Sequence, residues 1–320
     1  MKRIAVLTSG GDAPGMNASV RAVARTALAR GLEVMGVYRG YNGLLRGDFL
    51  KMKLRTVADI IHRGGTILYT ARCQEFNSPE GVRKAAEVCR GEGIDGVVVI
   101  GGDGSLRGAQ DLTREGIPCV GIPCTIDNDI SCCEETVGYD TALNTCIEMI
   151  DKLRDTAQSH DRCSVVEVMG RRAGYLALNV GLAAGATSIV VPEIPYDFEH
   201  HILERIEAAS KTGKKHFIII VAEGVGHVME IAKQIEERTN IETRATILGH
   251  VQRGGSPTVR DRVLASLMGH RAVELLLEGQ SNRVVGTQNG HMQDFDIDPA
   301  LDMKKPFDFD MYNMAHEISR

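Results

Sequence analysis

Short apolar runs alternate with longer stretches of helical spacing along almost the whole chain. Ile4-Ala5-Val6-Leu7 breaks into Thr8-Ser9-Gly10-Gly11-Asp12-Ala13-Pro14-Gly15, and a helix is predicted over about 16–30, ended by Gly31. A second apolar run covers 32–38, and a helix is predicted near 57–62, ahead of the stretch 64–72. Ser78-Pro79-Glu80 supplies an N-cap serine and a first-turn proline for a helix that closes near 91–93. Gly96-Val97-Val98-Val99-Ile100 is the β-branched run of a buried parallel strand. It ends in Gly101-Gly102-Asp103-Gly104-Ser105; helical signals resume over about 110–115, and a strand follows from Cys119. Asp140 is placed to cap a helix whose apolar stripe is Leu143, Ile147, Ile150 and Leu153. Further strands are predicted at 164–169, 188–191, 217–221 and 246–248, and a long helix over 260–277, ended by Gly279. Strands alternating with helices mean an α/β fold with mostly parallel sheets. The runs beginning at Val97 and Ile218 share one plan of apolar run, acid and glycine, a hint of internal duplication. No low-complexity segment or obvious linker interrupts the pattern.

The stretch that organises the rest is Gly121-Ile122-Pro123-Cys124-Thr125-Ile126-Asp127-Asn128-Asp129. The C-terminal end of a buried parallel strand is where an open α/β sheet holds its ligands. In extended chain, residues two apart share a side, so Thr125, Asp127 and Asp129 are expected to face one ligand. One carboxylate would take a proton while the other sits near a cation. A plain Asp/Asn turn is the competing reading. Matched polar groups directly after a buried run favour a site.

Composition narrows the choice. The chain has 320 residues, 43% of them hydrophobic, enough for two domains or one large one with real cores. Its 35 glycines and few aromatics suit strand-to-helix turns and close backbone approach to a ligand. A net charge of −5 disfavours a nucleic-acid partner. No apolar run nears the roughly 18 residues of a membrane helix. The apolar run after Met1-Lys2-Arg3 stops at Leu7, too short for a signal peptide. Cys73, Cys89, Cys119, Cys124, Cys132, Cys133, Cys146 and Cys163 form no C-x-x-C pair and no zinc spacing with histidine. They read as free thiols of a reducing cytoplasm, several acting as small apolar residues.

Two glycine loops suit phosphate. The first has strand, loop and helix in the order that holds phosphate at a helix N-terminus. It is not a Walker A loop, because Met16-Asn17 stands where Lys-Ser/Thr is needed. The second, 101–105, lets polyphosphate lie on bare backbone with Asp103 placed for Mg²⁺. A dinucleotide fingerprint fails there, since Arg107 stands where the last glycine belongs. Arg162, Arg171, Arg244 and Arg253 lie near strand ends or in glycine-rich loops, where guanidinium forks bind phosphate. Singly each would be an ordinary solvated arginine. In 250–257, His250 and Arg253 beside two glycines suit an anion, and Glu223 could accept from sugar hydroxyls.

With these residues in view, the chain resembles the bacterial ATP-dependent 6-phosphofructokinases over nearly its whole length. The landmarks are 10–17, 101–105, 123–129, Met169-Gly170-Arg171 and 248–257, in the right order. The resemblance implies two similar three-layer α/β domains, an ATP-binding one at 1–138 plus 251–301 and a fructose 6-phosphate-binding one at 139–250 plus 302–320. It implies transfer of phosphoryl from Mg-ATP to the sugar C1 hydroxyl, the committed step of glycolysis, in a cytoplasmic homotetramer. Asp127 would be the general base, with Arg171 and Thr125 beside it in the chemistry. Gly11, Arg72, Cys73, Gly102, Asp103, Gly104 and Ser105 would bind ATP, and Asp103 would ligate Mg²⁺, with Asp129 close by. Thr125, Ile126, Asp127, Met169, Gly170, Arg171, Glu223, His250, Val251, Gln252 and Arg253 would hold the sugar phosphate. Arg162 and Arg244 would reach it from a neighbouring subunit. An effector site for ADP/GDP or phosphoenolpyruvate would use Arg21, Ala22, Val23, Ala24, Arg25, Arg154, Gly185, Ala186, Thr187, Lys211, Lys214 and Lys215.

Departures from the family pattern bear on the donor. Cys124 stands where ATP users usually have Gly and pyrophosphate users Lys; Gly104 matches the ATP users, and pyrophosphate users carry Asp there. Thr187 replaces a Glu that some members use on metal-ADP, and Leu54 an effector Arg. Competing readings are a pyrophosphate-dependent phosphofructokinase, an NAD(P) oxidoreductase and a dead nucleotide sensor. Gly104 and Cys124 oppose the first, the broken glycine fingerprint the second, and intact Asp103, Asp127 and Arg171 the third.

Overall fold

The computed structural model describes residues 1–319. The predicted alternation becomes β1 (Arg3–Ser9), α1 (Met16–Ala29), β2 (Glu33–Val37), α2 (Tyr41–Arg46), β3 (Phe49–Lys51), α3 (Pro79–Gly91), β4 (Gly96–Gly101), α4 (Asp103–Arg114) and β5 (Cys119–Pro123). The chain continues through α5 (Tyr139–Ser159), β6 (Cys163–Val168), α6 (Tyr175–Ala183), β7 (Ser188–Val190), α7 (Glu204–Lys211), β8 (Phe217–Ala222), α8 (Val228–Thr239) and β9 (Thr243–Ile247). It closes with α9 (Val259–Leu277), β10 (Arg283–Gln288), β11 (His291–Asp296), α10 (Ile297–Asp302) and α11 (Phe309–Ile318).

Two compact units result. One gathers Met1–Ile126, Ile130–Thr141 and Arg253–Lys305; the other gathers Asp127–Asp129, Ala142–Gln252 and the chain from Pro306 onward. The first holds a seven-stranded sheet in the order β11-β10-β5-β4-β1-β2-β3. Its inner strands are parallel, and antiparallel β3 and β11 close the two edges. All six residues of β4 are buried, because a parallel strand is covered on both faces. The second unit holds a parallel four-stranded sheet, β7-β8-β6-β9, with β8 buried throughout. The α/β class with mostly parallel sheets is thus as read from the sequence, with sheets of unequal size.

Several elements fall where their signals put them. Ser78 caps α3 by accepting from Gly81 N at 3.1 Å, with Pro79 in the first turn. Gly31, at φ +78°, follows α1. Others differ. No helix forms near 57–62; the segment is turns, with Asp59 left-handed at φ +55°. The helix expected from 110 already starts at Asp103, burying Leu106, Ala109 and Leu112. Asp140 lies inside the first turn of α5, not before it, and accepts from Thr258 Oγ1 at 2.5 Å. Asp261 does the capping, accepting from Gly138 N at 2.7 Å and Thr141 N at 2.8 Å. The buried stripe of α5 is centred on Ala142, Cys146, Ile150 and Ala157, while Leu143, Ile147 and Leu153 flank it half-buried. The strand expected at 246–248 is β9, shifted three residues earlier at its start. Among the described residues no helix is long and apolar enough to cross a membrane.

Candidate active site

The first glycine loop follows β1, and its glycines have separate reasons. Gly15 takes φ +101°, and a Cβ there would lie 2.5 Å from Val137. A Cβ on exposed Gly11 would lie 2.6 Å from Arg253 Nη1, which donates to Asp12 O at 3.1 Å. The expected anion arginine Arg253 therefore lies against the Gly10-Gly11-Asp12 backbone. The start of α1 is not open, since Met16 and Asn17 are buried. Asn17 ties the loop to the chain beyond it. Its Nδ2 donates to Arg63 O and Gly64 O, and its Oδ1 accepts from Ile67 N at 2.8 Å. That tie explains an amide where a Walker loop needs Lys-Ser/Thr.

The open helix start belongs to α4. Gly104 is exposed, and a Cβ there would meet nothing within 4 Å. Asp103 is half-buried and pairs with Arg107 one turn on, at 3.2 Å. Gly101 is packed so closely that a Cβ would fall 2.5 Å from Ser9 O, which brings the ends of β1 and β4 together. Ser105 is buried, and Tyr41 Oη donates to its carbonyl at 2.6 Å. Thr70 Oγ1 donates to Gly10 O at 2.6 Å, anchoring the segment that leads to exposed Arg72 and half-buried Cys73.

β5 ends at Pro123, and Cys124 N donates to Gly101 O at 3.0 Å. Cys124 is fully buried; burial, with the Asp261 and Asp12 charges, pushes its thiol pKa up. The next residues are not extended. The chain bends at Ile126 and Asp127, and Asn128 is left-handed at φ +52°. The every-second-residue argument for Thr125, Asp127 and Asp129 therefore fails. Thr125 and Asp127 are each 7% exposed, so Asp127 is not the exposed carboxylate that a loop position suggests. Thr136 Oγ1 holds the loop by donating to Thr125 O at 2.6 Å. Tyr175 carries a phenol pushed up to about 12 by burial, Glu193 and Asp129.

At the C-terminal end of β6, Gly170 and Arg171 turn with φ +136° and +60°. Glu223 fixes that turn: its Oε1 accepts from Gly170 N at 3.2 Å and Arg171 N at 2.5 Å. Arg171, His250 and Val251 are exposed, and Gln252 is fully buried. Arg162 and Arg244 lie elsewhere. Arg162 precedes β6, and its neighbour across the pairing with β9 is the start of that strand. Six residues of strand, about 20 Å, separate that end from Arg171. Both arginines bind Glu242, Arg162 at 2.7 Å, and Arg162's hydrogen bond leads in holding the Glu242 carboxyl below its usual range. Glu242 was invisible in sequence, where only the arginines stood out.

Of the expected effector residues, Arg21 and Arg25 lie one turn apart on α1. Burial, then Arg25's charge, lowers the Arg21 pKa. Ala22, Val23 and Ala24 are buried. In the second unit Arg154 donates to Ala184 O, beside left-handed Gly185. Lys214 donates to Ser319 O at 3.4 Å, its pKa lowered by burial and by Arg154. Ala186 and Thr187 are buried, and among the described residues no partner meets the Thr187 hydroxyl. Lys211 and Lys215 are exposed.

Comparison with known proteins agrees with this geometry. Residues 3–276 match the family model for phosphofructokinase. The curated "ATP-dependent 6-phosphofructokinase" of Bacillus cytotoxicus is 58% identical over the full length of both chains, and so is that of Halalkalibacterium halodurans. The structure of Saccharomyces cerevisiae phosphofructokinase matches with a TM-score of 0.88 at 34% identity, over 94% of this chain. This chain spans 45% of that one. A pyrophosphate-dependent phosphofructokinase of Marinobacter aquaeolei shares the fold, with a TM-score of 0.84 at 22% identity over 96% of this chain and 86% of that one. With its sheets, glycine loops and strand-end residues in this arrangement, the chain belongs to the phosphofructokinase family and is an enzyme of that family.

Proposed function

We propose that this enzyme transfers the γ-phosphoryl group of Mg-ATP to the C1 hydroxyl of fructose 6-phosphate, giving the 1,6-bisphosphate and ADP. The observation that carries the donor choice is the start of α4: Gly104 exposed with open space above it, next to a carboxylate at Asp103. That backbone accepts a polyphosphate without a side chain in the way. Gly11, Arg72, Cys73, Gly102 and Ser105 complete the nucleotide set. Asp103 fits Mg²⁺, which takes one or two carboxylates and draws its other ligands from substrate phosphates and water. Among the described residues no cluster of three acidic, His or Cys ligands forms a self-sufficient metal cage. Bound Mg²⁺ would offset phosphate charge there, with Arg107 released from Asp103.

Asp127 accepts the C1 hydroxyl proton, and Arg171 stabilises charge on the transferring group. Met169, Gly170, Arg171, Glu223, His250 and Arg253 hold the sugar phosphate, with Thr125 and Ile126 lining the reacting end. A coupled assay with fructose 6-phosphate, comparing ATP with pyrophosphate, tests this reading. Turnover with ATP alone is expected, and turnover with pyrophosphate alone would overturn it.

Arg162 and Arg244 serve a neighbouring subunit of a homotetramer. Their place about 20 Å of strand from Arg171 supports this, because one chain's ligand would not reach both ends. Arg162→Ala and Asp127→Ala chains, each poor alone, are expected to regain part of the activity in hybrid tetramers. Proven hybrids with no recovery would end the shared-site idea.

The second unit's cations Arg154, Lys211, Lys214 and Lys215, with Gly185 to Thr187, supply an effector site biased toward phosphoenolpyruvate inhibition. ADP or GDP arrives with Mg²⁺ and gains from a carboxylate, which Thr187 does not supply. Phosphoenolpyruvate is wholly anionic and suffers no repulsion from Thr187. Thr187→Glu is therefore expected to strengthen ADP activation and weaken phosphoenolpyruvate inhibition in fructose 6-phosphate saturation curves. Unchanged half-effect concentrations for both ligands would show that position 187 does not touch the effector.

A further inference from the structure

We propose that Gln252 is a positioning residue and not a ligand of the sugar phosphate, and that the Cys146 thiol helps it to fix the Met169–Arg171 turn. Gln252 is fully buried, although its neighbours His250 and Val251 are exposed. Its carboxamide is already engaged by the protein. Oε1 accepts from Met169 N at 3.0 Å and from Cys146 Sγ at 3.1 Å, and Nε2 donates to Gly249 O at 2.9 Å. The partners settle which end is oxygen, since a backbone N–H meets one and a carbonyl the other.

The turn so held needs holding. Met169 N goes to Gln252, and Gly170 N and Arg171 N go to Glu223, so three successive backbone donors end on two side-chain oxygens. A left-handed φ of +60° at Arg171 is costly for a side-chain-bearing residue and persists only when its surroundings over-determine it. Glu223 fixes the far end of the turn and Gln252 the near end. Cys146, fully buried on α5, occupies the second lone pair of Gln252 Oε1. Burial pushes that thiol up to about 12, so it keeps its proton and remains a donor at neutral pH. The result is an Arg171 turn held on one side by Glu223 and on the other by Gln252 and Cys146, two buried residues that do not meet the ligand.

This inference rests on the fructose 6-phosphate reading, and the test separates the two. KM for each substrate, kcat and Tm are measured for the full-length enzyme and for Gln252→Leu, Gln252→Glu, Cys146→Ala and Cys146→Ser. Gln252→Leu strands Met169 N and Gly249 O, so KM for fructose 6-phosphate is expected to rise roughly 10–100-fold, with KM for ATP within about twofold. Cys146→Ala is expected to raise the same KM about two- to fivefold, and Cys146→Ser, which still donates, to restore it. Gln252→Glu keeps the acceptor for Met169 N but sets a carboxylate against Gly249 O, and is expected to raise the same KM by less than Gln252→Leu does. If Gln252→Leu fails to fold, Gln252→Glu and the Cys146 pair decide. An unshifted KM for fructose 6-phosphate, or equal rises for both substrates, overturns the inference. An unmodified enzyme inactive on fructose 6-phosphate sinks the functional reading, and this inference with it.

Discussion

Asp127→Ala is expected to lower kcat by roughly 10²–10⁴-fold while leaving the KM for fructose 6-phosphate much less affected. The reasoning is local. Asp127 follows a buried strand end, and the left-handed Asn128 bends the chain directly after it. The carboxylate is 7% exposed, so bulk water competes little for the proton it takes. Removing it deletes the proton acceptor but none of the groups proposed to grip the sugar phosphate, chiefly Arg171 and His250. Asp127→Asn is the sharper control, since it keeps the shape and loses only the base. A loss confined to KM, with kcat intact, would place the base elsewhere.

The parts legible in sequence were those whose signal is local. A serine before a proline caps α3, and a β-branched run bounded by glycines becomes β4. The parts missed needed the third dimension. β10 has only Val284 and Val285 as an apolar run, and β11 only Met292 and Phe295 among polar residues; the two pair with each other, and only two residues of β10 register on β5. The place of β10 next to β5 and of β11 at the sheet edge carries no pattern of its own. Helix α6 is apolar on most sides, so it lacks the polar face that marks a helix. The site shows the same division. The motifs placed Asp103 and Glu223 directly after their strands, but grouped Arg162, Arg171, Arg244 and Arg253 only as near a strand end or in a glycine-rich loop, without saying which end each occupies. That distinction separates Arg162 and Arg244 from Arg171, and it became visible only with the register of β6 and β9. Asn17 and Gln252 likewise sit inside glycine-rich motifs and are buried ties. Motif membership indicated neighbourhood; burial and hydrogen bonding indicate role.

Gly104→Asp is expected to cripple ATP use without harming the fold. Two features separate ligand effects from folding effects here. A Cβ at position 104 meets nothing within 4 Å, so an aspartate fits. The position is in the first turn of α4, where a negative side chain is favoured by the helix dipole. Stability should therefore hold or rise slightly, and the whole effect falls on the ligand. A carboxylate about 5 Å from a phosphate charge costs about 3 kcal/mol at an effective dielectric of roughly 20. Solvent screening at this exposed position brings that to roughly a 10–100-fold rise in KM for ATP. Pyrophosphate turnover should not appear in exchange, because position 124 carries a buried thiol and no cation to hold it. The KM for fructose 6-phosphate should stay within about twofold, since none of its proposed ligands contacts position 104. An unchanged KM for ATP in a normally folded Gly104→Asp enzyme would show that the nucleotide phosphates do not lie over the start of α4.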